Sequence, residues 1–378
     1  MIQFQCDYNE GAHPRILQRL VETNMMQTAG YGEDPICEHA RALVRQACQT
    51  PDADVHFLVG GTQTNATVIS AILRPFQGVL CATTAHINAH ETGAIEHGGH
   101  KVLTLPATDG KITAEAIDAA VTAHYADGSH EHIVQPGMVY ISFSTELGTI
   151  YTKQELTDIS AVCRRHALPL FIDGARLGYG LTSPACDITL PELARLADVF
   201  YLGGTKQGAL FGEAVVITAE ALKKDFRYAI KMNGGMLAKG RLLGIQFEAL
   251  FADNLYFDLA AHANRMAQRI HDAFAARGIR FLVDSPTNQQ FPILTDSQYA
   301  ALSQQFLSDY WGRVDDTHVA TRFCTSWATT DENVSTLVAA IERLCPPDRR
   351  ATPFMRTLPA LKKRGETIQK PQGKSFFL

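Results

Sequence analysis

No stretch of this sequence approaches the roughly 20 consecutive apolar residues of a membrane span. Its first residues carry Asp7 and Glu10 and no apolar run, so no signal peptide is read there. Positive charge is not in excess either: 34 Lys and Arg against 39 Asp and Glu give a net charge of −5. That balance argues against nucleic acid or an anionic membrane as a partner. The 8 cysteines fall singly, without a CxxC pair, as expected of reduced thiols in a cytoplasmic protein. No GxxxxGK motif is present, which removes a nucleotide P-loop, and no internal repeat, which removes solenoids and propellers.

What is present is ordinary globular composition, 46% hydrophobic and 19% charged, too balanced for wholesale disorder. A length of 378 residues suggests two domains. Seven short apolar or β-branched runs alternate with amphipathic segments: Val55–Val59, Val79–Thr83, Lys101–Leu105, Met138–Phe143, Pro169–Asp173, Asp198–Leu202 and Glu213–Ile217. Such alternation predicts an α/β fold with a doubly wound, mostly parallel seven-stranded sheet, filling a large domain over residues 1–250. Leu259, Ala263, Met266, Ile270 and Phe274 then repeat at helical spacing, ahead of strand-like runs at Arg280–Val283 and Val319–Thr325 and a closing helix, Asp331–Leu344. This predicts a smaller α+β domain over 251–345. Residues 346–378 hold eight Lys/Arg against two Asp/Glu and several prolines, and are expected to form a mobile basic tail.

In open α/β sheets ligands bind beyond the carboxyl ends of the strands. After Val59 come Gly60, Gly61 and Thr62, opening a helix whose free N–H groups suit a phosphate, although a plain strand–helix turn also uses glycine. His86 follows the second run. Alone it reads as a capping or core histidine; with His90, His97 and His100 it raises zinc, but the HExxH order is missing and no metal is expected. Asp173 ends a buried strand, a costly place for a carboxylate unless Arg176 or a ligand cation satisfies it. Lys206 stands past the next strand, 33 residues on, close to one βαβ unit, so the two can project into one crevice. A lysine for a Schiff base, a carboxylate for a pyridinium nitrogen, an imidazole to stack on a ring and a helix start for a phosphate together match pyridoxal 5′-phosphate.

On these residues the chain resembles the threonine aldolase and β-eliminating lyase family of fold type I pyridoxal-phosphate enzymes, over roughly residues 4–345. The matching stretches are Asp7, Tyr31-Gly32-Glu33-Asp34-Pro35, Gly61-Thr62-Gln63-Thr64-Asn65, His86 with Glu91, Asp173-Gly174-Ala175-Arg176, Thr205-Lys206 and Arg322-Phe323-Cys324-Thr325. The resemblance implies that Lys206 carries the cofactor and Asp173 holds its ring nitrogen. It further implies that His86 stacks on the ring and that Gly61, Thr62 and Thr205 bind phosphate. Arg176 and Arg322 would grip the substrate carboxylate, with Cys6 and Tyr31 beside the substrate.

Cys6-Asp7 stands where the family's aldolases commonly have Ser-Asp, and Ser144-Thr145-Glu146 where they have Asn-Thr-His. Gly234-Gly235-Met236-Leu237 replaces their Gly-Gly-Gly-Met-Arg. The base is then His86, a water or Glu146. The implied reaction is aldol cleavage of a β-hydroxy-α-amino acid to glycine and an aldehyde. The alternative is β-elimination to a 2-oxo acid and ammonia, with Lys206 removing the Cα proton. A histidine-liganded metal hydrolase and a non-enzymatic cofactor binder are the readings from other classes. A homodimer or homotetramer is expected.

Overall fold

The computed structural model describes residues 1–345, and the proposed basic tail lies outside the described residues. Its strands, in chain order, begin with β1 (Ile2–Gln3), β2 (Asp54–Leu58), β3 (Gln77–Ala82) and β4 (Lys101–Leu105). Then come β5 (Gln135–Ser142), β6 (Leu170–Asp173), β7 (Val199–Gly203) and β8 (Glu213–Ile217). Strands β2 to β8 form one seven-stranded sheet in the order β2-β8-β7-β6-β5-β3-β4. All its pairs are parallel except the two made by β8, which runs antiparallel to both neighbours. Each of the seven apolar runs thus lies in a strand of this sheet.

Strands β6, β7 and β8 are buried along their whole length, which is why they read as continuous apolar runs. Helices cover the sheet and join its parallel strands. Helix α1 (Pro14–Thr23) packs on Arg241–Phe251, and α2 (Pro35–Cys48) is started by Pro35 and by the Asp34 carboxylate, which accepts the Cys37 N–H. Helix α3 (Gly61–Ile72) follows β2 and has Gly60 at its cap position with no side chain capping it. The helix Lys153–Arg165 opens with a full capping box between Thr152 and Glu155.

The second sheet joins β9 (Gln289–Gln290), β10 (Ile293–Thr295), β12 (Asp309–Asp315) and β13 (His318–Cys324), while β11 (Phe306–Leu307) pairs with β1 instead. The helices Leu255–Ala275 and Asp331–Leu344 pack on each other beside it. Two differences from the sequence reading stand out. Arg280–Val283 forms no strand, and Phe281 makes a single bridge to Pro292. The largely exposed β12, Asp-Tyr-Trp-Gly-Arg-Val-Asp, lacks the continuous apolar run that marked the other strands.

The N-terminal arm is pinned to this second layer. Phe4 is fully buried with its ring centroid 6.4 Å from Phe306 and 6.2 Å from Phe323. Burying a phenylalanine is worth about 1.5–3 kcal/mol, and the Cys324 N–H also donates to the Phe4 carbonyl. Three residues later the arm delivers Asp7 to the ends of the large sheet.

Candidate active site

The carboxyl ends of β2, β5, β6 and β7 surround a cavity of about 320 Å³. It is lined by Gly61, Thr62, His86, Glu146, Asp173, Arg176, Thr205 and Lys206, eight of the eleven candidates, together with Tyr8, Ser142, Ser144, Tyr201 and Glu213. The three other candidates lie elsewhere. Tyr31 lines a separate pocket with Arg227, Tyr228, Lys231 and Met236.

Asp173 is 4% exposed and fully hydrogen bonded. One carboxylate oxygen accepts from the Ala175 amide at 3.0 Å and the Tyr201 hydroxyl at 2.5 Å. The other accepts from the Tyr140 hydroxyl at 2.5 Å and the Asn65 amide at 3.1 Å. Burial opposes its ionisation, but the nearby His86 charge and these donors outweigh it and hold the carboxyl below its usual value. The cavity floor is therefore a fixed negative charge.

Asn65 extends the chain of contacts, donating also to Glu91 at 2.7 Å, and Glu91 in turn meets His86 Nδ1 at 2.7 Å. The Glu91 side chain is fully buried, so the imidazole is tethered on that side, and the His86 side chain remains 36% exposed. His86 heads a helix of one turn, His86–Ala89, rather than a longer face shared with His90. Among the described residues no group of three or more His, Cys, Asp or Glu is placed to hold a metal ion.

Glu146 approaches the same turn, one oxygen accepting the His86 N–H at 3.0 Å and the Ser142 hydroxyl at 2.6 Å. Burial raises its carboxyl above the usual 4.5, against the pull of those two donors. Opposite stands Lys206, whose ammonium is pushed down by burial and by Arg176 while Asp7, Asp173 and Glu213 hold it up. Its backbone carbonyl accepts the Tyr179 hydroxyl.

Arg176 meets Asp7 as a two-point pair, Nε to Oδ2 at 2.7 Å and Nη2 to Oδ1 at 3.0 Å, with the Asn288 amide adding 2.9 Å to Oδ2. The guanidinium fork expected to grip a substrate carboxylate is thus already closed on Asp7, leaving Nη1. Thr205 is engaged too: its hydroxyl donates to Glu213 at 2.9 Å and accepts the Gly212 N–H at 3.0 Å, so its single proton is not aimed at a phosphate. Arg322 is held outside the cavity by Asp309 at 2.9 Å, Gln289 at 3.0 Å and the Gln5 carbonyl at 3.1 Å, next to Cys6, whose thiol donates to Asn9.

Tyr140, Tyr201, Asn288 and Glu213 were given no site role from the sequence, and Asn65 stood only in the matching stretch Gly61-Thr62-Gln63-Thr64-Asn65. Asn65 alone left a signal, a polar residue four positions after Gly61 on a helix followed by apolar positions.

The profile of the β-eliminating lyase family matches residues 6–297. The chain belongs to that family. It is 30% identical over 347 residues to a low-specificity L-threonine aldolase of Pseudomonas sp., covering 90% of this chain and 96% of the relative. Among solved structures, a threonine aldolase of Leishmania major is 48% identical with a TM-score of 0.89, over 91% of this chain and 100% of the other. An aspartate aminotransferase of Thermus thermophilus matches at TM-score 0.67 and 14% identity, over 91% of this chain and 96% of the other, which is a likeness of fold alone. This family member is accordingly a lyase with the fold type I architecture.

Proposed function

We propose that the protein is a pyridoxal 5′-phosphate-dependent aldolase, cleaving the Cα–Cβ bond of a threonine-like or allo-threonine-like amino acid to glycine and an aldehyde. The observation that carries this reading is the convergence of Lys206, the charged Asp173, the tethered His86 and the uncapped N-terminus of α3 on one cavity. The residues fit the cofactor. Asp173 is ionised in a buried place and lines the cavity, as a partner for a protonated ring nitrogen must. The amides of Gly61 and Thr62 have no capping side chain and are open to a phosphate. When bound, the cofactor supplies the electron sink for the pair left at Cα.

Each residue has a task in this scheme. Lys206 would hold the cofactor through its amine, and Asp173 would pair with its ring nitrogen. His86, braced by Glu91, would stack against its ring. Arg176, braced by Asp7, has Nη1 for one oxygen of the substrate carboxylate. Glu146 accepts the proton of the β-hydroxyl as the Cα–Cβ bond breaks. Its raised pKa makes it a better base than an ordinary exposed carboxylate.

Two expectations belong to the same proposal. The cytoplasm suits eight cysteines that are all free. A homodimer or homotetramer would bring charge that the cavity needs: among the described residues it is lined by Asp173, Glu146 and Glu213 against Lys206, Arg176 and His86, and Arg176 is bound to Asp7 and His86 to Glu91. Light scattering at several concentrations checks the oligomer, and a monomer throughout would remove it.

The reaction is tested by incubating purified protein with L-allo-threonine and L-threonine and measuring glycine and acetaldehyde. A visible absorption band that disappears in Lys206→Ala is expected. A protein that stays colourless with added pyridoxal phosphate would sink the reading. A 2-oxo acid with ammonia would instead select β-elimination, the second reading, which the glutamate in place of the family's histidine favours.

A further inference from the structure

Ser285, Pro286, Thr287 and Asn288 form no helix or strand. They lead into β9, where Gln289 pairs with Cys324 of β13, so the segment is anchored on the second sheet. Ser285 is 3% exposed, Thr287 1% and Asn288 0%. Polar side chains in such a place are costly unless hydrogen bonded, and apolar ones would fill it without that cost. The backbone of the segment is fixed throughout. Gln290 Nε2 donates to the Ser285 and Thr287 carbonyls, both at 3.0 Å. The Ser183 hydroxyl donates to the Pro286 carbonyl at 2.8 Å and the Thr325 N–H to the Asn288 carbonyl at 3.0 Å.

The side chains of this segment hold two parts of the site. The Thr287 and Ser285 hydroxyls donate to the Gly148 carbonyl at 2.8 and 3.1 Å. Gly148 closes a turn by donating its N–H to the Thr145 carbonyl at 2.9 Å, and Glu146 lies within that turn. Gly148 has a φ of 74°, and a Cβ there would run into the Ser285 hydroxyl, so only glycine lets the turn and the segment come this close. The Asn288 amide donates to Asp7 Oδ2 at 2.9 Å and to the Thr325 carbonyl at 2.8 Å, and Asp7 in turn holds the fork of Arg176.

We infer that Ser285–Asn288 is a strut that sets the distance between Glu146 and Arg176, with Thr287 and Asn288 as its positioning residues. The paired register of β5 and β6 ends at Ser142 and Asp173, short of both Glu146 and Arg176, so the sheet alone does not fix their spacing. The strut supplies the tie beyond it. Its two anchor points are consecutive residues, whose Cα atoms lie about 3.8 Å apart. A β-hydroxy-α-amino acid carries its carboxylate and its hydroxyl on neighbouring carbons, so proton acceptor and clamp must keep one spacing to meet both at once.

The inference rests on the proposed function, in which Glu146 takes the β-hydroxyl proton and Arg176 the carboxylate. Its test is the steady-state kinetics of L-allo-threonine cleavage by the full-length loaded enzyme. Rates are counted per molecule carrying the visible band, so that unfolded protein does not enter. Thr287→Val removes one hydroxyl at nearly constant shape, and kcat is expected to fall about tenfold or more with KM within about twofold. The acid limb of its kcat/KM should move down toward the ordinary 4.5, because burial is what raises Glu146 and a loosened turn admits water. Asn288→Ala should do the reverse, raising KM about tenfold with kcat within about twofold and the acid limb in place. A segment that only supports the fold would give both variants one common profile, or wild-type kinetics per loaded molecule, and either result overturns the inference. If Thr287→Val does not fold, Ser285→Ala, which removes the longer bond to Gly148, should lower kcat by a smaller factor with the same shift of the limb, and unchanged kinetics overturn the inference equally. Wild-type enzyme that forms a 2-oxo acid and ammonia instead of glycine overturns the proposed function and the strut with it. Glycine from the wild type with coincident variant profiles refutes the strut alone.

Discussion

Asp7 lies 169 residues from Arg176 in sequence and is the only carboxylate meeting its guanidinium fork among the described residues. Asp7 is 0% exposed, and the arm that carries it has no other buried charge before it. Burial works against its ionisation, yet the charges of Arg176 and Lys206 and the bonds from Arg176 and Asn288 bring the carboxyl from 3.8 to about 2. At about 1.36 kcal/mol per pH unit, that drop is worth roughly 2–3 kcal/mol of preference for the charged form. Replacing Asp7 by Asn keeps the shape but turns an N–H toward the guanidinium and leaves the arginine charge unpaired. Removing one partner of a buried pair costs about 3–5 kcal/mol, so Asp7→Asn is expected near that range in urea unfolding. The double variant Asp7→Asn/Arg176→Met should be more stable than the single one, with a coupling of about 2 kcal/mol or more. The pH dependence has a fixed sign. A depressed carboxyl contributes stability above pH 3.8 that is lost as the pH falls toward 2, so the acid limb of the wild type should be steeper there than that of the variant. A single variant within about 0.5 kcal/mol of wild type, or a double variant equal to the sum of the singles, would refute the pairing argument.

Three further outcomes follow from the same geometry. Asp173→Ala strands the donors of Asn65, Tyr140 and Tyr201 in a buried place; with each unmet partner costing about 1–3 kcal/mol, a marked loss of stability in urea and loss of cofactor uptake are expected together. Glu146→Gln should lower kcat by about 10²–10⁴-fold if it is the base, and should remove an acid limb lying above pH 4.5 in kcat/KM; activity within tenfold of wild type moves the role to His86 or water. His56 in β2 is pushed down to about 3 by burial, with Arg41, Arg227 and Arg45 adding to it. Because its folded value lies below the ordinary 6.5, it contributes stability above pH 6.5 that is lost as the pH falls toward 3. The loss is below about 5 kcal/mol by the same conversion, since the Asp54 carboxylate 3.9 Å away favours the charged ring. His56→Gln should flatten the stability profile across that window, and an unchanged slope in chemical unfolding would remove His56 as its cause.

The parts of the site that could be read in one dimension are those tied to strand ends. Asp173 ends an apolar run and Lys206 stands just past the turn after the next one, and because parallel strands all end on one side, both can be placed at the same edge of the sheet. His86 and the Gly61-Thr62 helix start were legible for the same reason. What escaped was whatever depends on the partner. Tyr140 and Tyr201 look like apolar strand filler, and only the register of β5, β6 and β7 shows both hydroxyls converging on one carboxylate. Arg322 and Arg176 look alike as free cations in a sequence, yet each already has its acid, Asp309 thirteen residues back and Asp7 across the fold. Glu213 stands in the sequence only as the first residue of the run Glu213–Ile217, and nothing in its neighbourhood marks β8 as antiparallel. That reversal is what carries the first residue of β8, rather than its last, to the catalytic end of the sheet. An acid at the start of the odd strand therefore counts as a site residue here, where the same acid at the start of any parallel strand of this sheet would face the opposite edge. Strand direction, more than strand identity, decided which titratable groups meet.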